Sequence, residues 1–162
     1  MKKILVLSDS HASLRFMRLA IDQIQPDAVI HLGDYYEDAQ ALEQEYPTVP
    51  FHYVFGNCDR YRCPPSARST LCYDVFGVRI FMTHGHLQSV KQTLCRLTGE
   101  ARSYGAAAAL YGHTHCPDCH YEDGLLVLNP GSSGSAGGSI AVLETEAGKI
   151  CSARIISLTE LG

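Results

Sequence analysis

Three segments near the start of the chain, KKILVLS (2–8), AVIHLGD (28–34) and VPFHYVFGN (49–57), each pair a short apolar run with polar residues at its end. This rhythm constrains the fold more than any other feature. Apolar runs of this length suit buried strands, and the spacers between them suit helices. Ser13 can cap the first helix, in which Leu14, Met17, Ile21 and Ile24 share one face before Pro26-Asp27 ends it. The second spacer, EDAQALEQE, predicts a mostly exposed helix that stops before Pro47. A βαβαβ alternation predicts parallel strands with helices packed on the sheet.

The second half changes character. CYDVFGVRIFMTHG predicts two strands turning around Gly77, and residues 88–110 read as helical, with Gly99 and Gly105 as interruptions. The end is strand-rich, with turns at Asp123-Gly124 and Ala147-Gly148. The Gly/Ser patch 131–139 is long enough for a mobile loop but too short to separate domains. No repeat or linker interrupts residues 1–162, which predicts one α/β domain with strands enough for two sheets.

Composition excludes several classes. Hydrophobic residues make up 46% and charged residues 19%, ordinary for a soluble globular protein. A net charge of −4 gives no reason to expect a nucleic-acid polymer as partner. The opening apolar run breaks at Ser8-Asp9, too early for a signal-peptide core or a membrane span, so a cytoplasmic location is expected. Seven cysteines are an odd number with no secretion signal ahead of them, which argues against a disulfide framework.

Chemistry gathers at the ends of the predicted strands. Asp9-Ser10-His11 follows the first, Gly33-Asp34 the second, and Gly56-Asn57-Cys58-Asp59 the third. His84-Gly85-His86 follows Thr83, and Gly112-His113-Thr114-His115 follows another short apolar run. Singly, Asp9 and Asp34 are ordinary loop caps, Asn57 an ordinary turn residue, and His84 a satisfied polar side chain. Jointly those readings require metal-competent groups to share one edge by chance. Carboxyl ends of parallel strands form the ligand-binding crevice of α/β sheets. Asp9, His11, Asp34, Asn57, His84, His113 and His115 supply seven oxygen or nitrogen ligands, which suits two ions sharing a carboxylate. Two divalent ions, two aspartates and a bridging hydroxide leave about +1, a site for an anion such as a phosphate ester.

The order D-x-H, G-D, G-N-x-D, T-H-G-H, G-H-T-H, from Asp9 to about Ser132, resembles the calcineurin-like metallophosphoesterases. The compact length and the form Gly-Asn-Cys-Asp look most like the small bacterial and archaeal phosphodiesterase branch. The resemblance implies a sandwich of two β-sheets flanked by helices. It implies that Asp9, His11 and His115 hold one ion, that Asn57, His84 and His113 hold a second, and that Asp34 bridges them. Manganese, iron, zinc or nickel would fit such ligands, with manganese taken first. A hydroxide between ions about 3.5–4 Å apart would attack a small phosphodiester in line with its leaving oxygen. Asn57, Cys58, Asp59 and His86 are the expected catalytic residues. Asp59 is expected to orient a ligand or water, and His86 either contacts phosphate or is structural. Cys58 stands where larger relatives place a histidine thought to protonate the leaving group. A homodimer is plausible on the same resemblance. The fold also resembles the small retromer subunit, which makes a non-catalytic interaction scaffold the alternative, although all seven ligand positions are intact here.

YGHTHCPDCH (111–120) alone would suggest a zinc knot, because Cys116 and Cys119 stand at C-x-x-C spacing. The resemblance assigns His113 and His115 to the dimetal site, and a strand-like His-x-His would point both to one face. Cys116 and Cys119 are then left over, with a zinc or redox role as the minority alternative. His31 and His52 read as core or edge residues, and Arg60, Arg62 and Arg68 as phosphate contacts or surface charges. After Asn129-Pro130-Gly131-Ser132 many family members continue with Pro-Arg. This chain runs Ser133-Gly134-Ser135-Ala136 instead, so no substrate contact is assigned to that loop.

Overall fold

Strand β1 (Lys2–Leu7) is apolar on both faces because both faces are covered in the computed structural model, which describes residues 1–162. Ile4 and Val6 point one way and join a cluster with Ile30, Val54, Ile80, Met82, Leu110, Leu128 and Leu143. Leu5 and Leu7 point the other way, against Met17, Ala20, Ile21 and Leu42. The first cluster lies between two sheets and the second between a sheet and its helices.

The first sheet has the order β10-β9-β1-β2-β3, with β2 at Ala28–His31, β3 at Phe51–Tyr53, β9 at Ser139–Glu146 and β10 at Lys149–Ser157. Strands β1, β2 and β3 are parallel, as the alternation predicts, whereas β9 and β10 add antiparallel. The second sheet has the order β4-β5-β6-β8-β7. Its strands are β4 (Thr70–Val75), β5 (Val78–Thr83), β6 (Ala108–Leu110), β7 (Asp118–Glu122) and β8 (Leu125–Asn129). Here β5, β6 and β8 are parallel and both outer strands return antiparallel. Helices α1 (Leu14–Ile24) and α2 (Tyr36–Glu45) cover the first sheet, and α3 (Cys95–Ser103) packs Leu97 and Ala101 onto Phe81, Ala109 and Val127 of the second. No helix is long and apolar enough to cross a membrane.

Several local expectations change. The predicted 88–110 helix is only α3; Gly105 turns the chain with φ +68°, and Ala108–Leu110 pair on both sides with β5 and β8. An alanine run reads equally well as helix or strand, and the two waiting parallel partners decide it. Ser13 stands at the α1 N-cap with extended backbone, but its hydroxyl makes no capping bond. The last residues form a short helix, α4 (Leu158–Leu161), that seats Leu158 and Leu161 in the outer cluster. The Gly/Ser segment is tied down rather than loose. The Ser133 N–H donates to the Ser8 carbonyl at 3.0 Å, the Ser132 hydroxyl to the Asp9 carbonyl at 2.8 Å, and the Ser139 hydroxyl to the Pro130 carbonyl at 2.7 Å.

Candidate metal centre

The parallel strands of both sheets end at one edge, and each runs into a sharply turned loop. Asp9, His11 and Ala12 after β1 have φ values of +54°, +47° and +67°. Asp34 and Tyr35 after β2, and His113 and His115 after β6, are also left-handed. Such backbone disfavours residues with side chains and persists only where the surroundings hold it.

The surroundings are specific. The Asp9 N–H donates to the Gly33 carbonyl at 2.9 Å, joining the first two loops. Asp59 joins the second and third: its carboxylate accepts from the N–H groups of Tyr35 (2.6 Å), Tyr36 (2.9 Å) and Gly56 (2.8 Å). Its oxygens are thus taken by backbone and touch no candidate ligand side chain. Gly33 and Gly56 lie where these loops touch. A Cβ on Gly33 would come within 2.7 Å of the Gly56 nitrogen, and one on Gly56 would fall on the Asp34 carboxylate. Beneath the first loop, the Gly33 N–H donates to His31 Nδ1 at 3.2 Å, which leaves the His31 proton on Nε2. That proton is donated to Ser10 Oγ at 2.9 Å, and Ser10 in turn donates to Asp38 Oδ2 at 2.6 Å. Asp38 also accepts from the Ala12 N–H at 2.9 Å. Sequence gave no warning of Ser10 and Asp38, since an aspartate in a polar helix looks like a solvated one.

On this frame, ligand atoms of Asp9, His11, Asp34 and His115 lie within 4.8 Å of one another. His115 Nε2 is 3.2 Å from Asp9 Oδ1 and 3.3 Å from His11 Nε2. His84 is fully buried and donates Nδ1–H to the Leu32 carbonyl at 2.8 Å, so its Nε2 faces inward. That nitrogen lies 3.0 Å from Asn57 Oδ1, 3.5 Å from Asp34 Oδ1 and 3.9 Å from Asp9 Oδ1. The His113 ring sits 5.0 Å from the His84 ring, and the His113 main-chain N–H donates to Asp9 Oδ2 at 3.1 Å. His113 and His115 are not in a strand. Both reach the centre from a left-handed turn after β6, so the strand-like picture of His-x-His is corrected.

The donor set fits divalent cations. Asp9 Oδ2 accepts from the Ser8 hydroxyl and the His113 amide, yet Asp9 Oδ1 is buried with no hydrogen-bond partner. A buried bare carboxylate oxygen is costly unless a cation sits against it. His84 makes the same point, since a neutral ring would aim its Nε2 lone pair at three oxygens. Burial works against charging His84, but Asp34 and Asp9 overcome it and raise its pKa. Burial likewise opposes ionisation of Asp34, but His84 and the Cys58 N–H, 3.0 Å from Oδ1, hold its carboxyl well below the usual range. Burial and the neighbouring His84 lower both His86 and His113.

Of the other predicted residues, Cys58 follows Asn57 at the rim; burial and then Asp34 push its thiol up to about 11. His86 stands beside His84 and His113, with ring centroids 5.5 and 6.3 Å away, and its Nδ1 is buried without a partner. His31 is buried, as expected, and burial with the nearby His84 lowers it to about 3. Cys116 and Cys119 are exposed free thiols, and neither belongs to the ligand cluster.

A two-sheet sandwich that gathers carboxylates and imidazoles at one strand edge defines a metallohydrolase-type protein. The chain belongs to the calcineurin-like phosphoesterase superfamily, whose domain matches residues 1–148. It is 32% identical to a probable metallophosphoesterase of Bacillus subtilis, over 80% of this chain and 73% of that protein. It is also 32% identical to a phosphodiesterase of Methanocaldococcus jannaschii, over 89% of this chain and 93% of that protein. A solved predicted phosphoesterase from Streptococcus pneumoniae superposes with a TM-score of 0.77 at 27% identity, covering 97% and 90% of the two chains. The Vps29 structure of Entamoeba histolytica, at 19% identity and a TM-score of 0.71 over 95% and 98%, shares the fold.

Proposed function

We propose that the chain is a metal-dependent phosphodiesterase of small cytoplasmic substrates. Asp9, His11 and His115 would hold one divalent ion, Asn57, His84 and His113 a second, and Asp34 both, with manganese the first choice. The observation that carries this is the unpartnered Asp9 Oδ1, buried 3.2 Å from His115 Nε2. The phosphodiesterase relative, matched over nearly its whole length, supports the diester. Bound divalent ions would polarise the phosphoryl oxygens and lower the pKa of a water for attack on phosphorus.

The protein's own residues prepare that chemistry. Leu32 fixes the His84 tautomer, so the ring presents Nε2 without rearrangement. Ser8 and the His113 amide hold one Asp9 oxygen and leave the other free. Asp59 locks the loops that carry Asp34 and Asn57 together. A protonated Cys58 is a weak hydrogen-bond donor, so it gives little help to a poor leaving group. His86 is the next candidate acid.

The test is a substrate panel on manganese-loaded and chelator-treated protein, covering aryl and alkyl diesters, cyclic nucleotides, glycerophosphodiesters and monoesters. Diester turnover that is lost with chelator and restored by metal is expected, falling from aryl to alkyl leaving groups. Stoichiometric metal with no turnover of any ester would instead indicate a binding scaffold.

A further inference from the structure

A cavity of about 500 Å³ opens beside the centre on the Asn57 side. It is lined by Phe55, Asn57, Arg60, Cys63, His86 and Leu87, so it begins where two of the site residues end. One wall is the loop after β3, pinned by the Phe55 N–H donating to the Arg68 carbonyl at 3.0 Å. The other is the short turn His86–Gln88.

That turn inverts the usual order of burial. Gln88 is buried, bridging Thr83 Oγ1 at 3.1 Å and Glu100 at 3.2 Å, while its neighbour Leu87 stands 49% exposed at the cavity. Glutamine is ordinarily the exposed residue and leucine the buried one. Here the glutamine is spent on fixing the turn, and the leucine is held out as a wall of the cavity. Phe55 lines the same space from the loop after β3, and Arg60, lying over the Tyr61 ring at 5.5 Å, supplies the only full charge in the lining. No carboxylate lines the cavity.

We infer that this cavity receives one ester arm of the substrate, and that the arm is a flat aromatic ring, aryl or nucleobase, without positive charge. The inference rests on the phosphodiesterase reading and names its substrate class. A methyl ester would leave the space empty. A cationic arm would meet Arg60 and no balancing acid. An aromatic ring fills the space between Phe55 and Leu87 and presents its face or an electronegative edge to the guanidinium.

Binding of non-hydrolysable phosphonates to the manganese-loaded protein, by calorimetry, tests this without turnover. Phenylphosphonate should bind about tenfold more tightly than methylphosphonate, equivalent to about 1.4 kcal/mol. 2-Aminoethylphosphonate should show no gain. The methylenephosphonate analogue of thymidine 5′-monophosphate separates the sources: a larger gain than phenyl marks a nucleotide arm, a smaller one an aryl ester. Leu87→Ser should bring the phenyl-to-methyl ratio toward one and Leu87→Met should keep it; Leu87 is exposed enough for both to fold. Equal binding of phenyl- and methylphosphonate, tighter binding of the aminoethyl compound, or an unchanged ratio in Leu87→Ser would overturn the inference alone. Failure of every phosphonate to bind would overturn the phosphodiesterase reading with it.

Discussion

The two flanks of the metal centre differ in how they meet water. Asp9 and His84 have wholly buried side chains, and that of Asp34 is 4% exposed. His11 and His115, which face the same carboxylates from outside, have side chains 34% and 48% exposed. The inner flank is held by main-chain bonds between loops, the outer flank by side-chain bonds to the turns beside His11 and His115. Negative charge is therefore built in by folding, while the outer imidazoles close over it from the solvent side. A buried carboxylate cannot turn to water when a cation leaves, so the inner flank should govern metal retention and the outer flank only adjust it.

Asp34→Asn attacks the inner flank at the residue proposed to serve both ions. Asparagine keeps the shape and can still accept from the Cys58 N–H, but removes the charge beside His84. We expect loss of both metal equivalents and a fall in diester turnover of about a hundredfold or more. His115→Ala, on the outer flank, should cost one metal equivalent at most. Elemental analysis of the two variants side by side checks this. Asp34→Asn protein with two bound metals and wild-type turnover would break the distinction.

Steric change gives the next largest effect. Gly56→Ala would press its methyl onto the Asp34 carboxylate, 2.6 Å from the Asp34 nitrogen and 2.9 Å from His84 Cγ. Overpacking of this kind typically costs about 1–3 kcal/mol. For a chain of this size that lowers Tm by roughly 2–4 °C per kcal/mol, and metal should be lost with it. Gly99→Ala is the control, because a methyl there meets nothing within 4 Å and lies inside α3. Its helix propensity should raise stability by up to about 1 kcal/mol. Thermal melts of both variants decide.

These contrasts also mark where sequence was legible. The apolar runs revealed β1, β2 and β3, and the βαβαβ alternation their parallel pairing, because short strands flanked by helices leave compact apolar segments. Strand ends pointed to Asp9, His11, Asp34 and His115, whose ligand atoms lie together, since each run stops where its polar cluster starts. Sequence could not show that Ala108–Leu110 are a strand, because the two partners that make them one are distant in sequence. Nor could it show that Gln88 is buried and Leu87 exposed, a reversal made by two side-chain hydrogen bonds across the fold. The support under Asp9 and His11 escaped for the same reason: Ser10, His31 and Asp38 belong to three different elements.

Ser10→Ala tests that support and should be milder. It would leave the His31 Nε2–H and one Asp38 oxygen without the shared hydroxyl, a penalty of about 1–3 kcal/mol for buried groups. Because Asp9 and His11 flank Ser10, affinity at the first ion should fall while the second, held by Asn57, His84 and His113, changes less. Chemical denaturation and a two-site metal titration read the two effects separately. A loss of stability with both affinities untouched would make the network structural only.

The smallest effect is expected for the paired thiols. Cys116 and Cys119 are exposed, and their contacts are weak: Cys119 Sγ lies 3.8 Å from the Ala153 carbonyl, and Cys116 bonds to Thr114 Oγ1 through its main-chain N–H. Serine at both positions keeps that main-chain bond and removes the soft ligands a zinc site would need. The double variant should therefore retain its full metal content, its turnover should stay within a few-fold of wild type, and its stability should change by no more than about 0.5 kcal/mol, as is usual for surface substitutions. Cys116 follows His115 directly, so the substitution also probes how far the outer flank tolerates change next to a proposed ligand. Loss of one metal equivalent would make the thiols ligands in their own right. Loss of activity with metal retained would mean instead that the turn carrying His115 is set more tightly than its exposure implies.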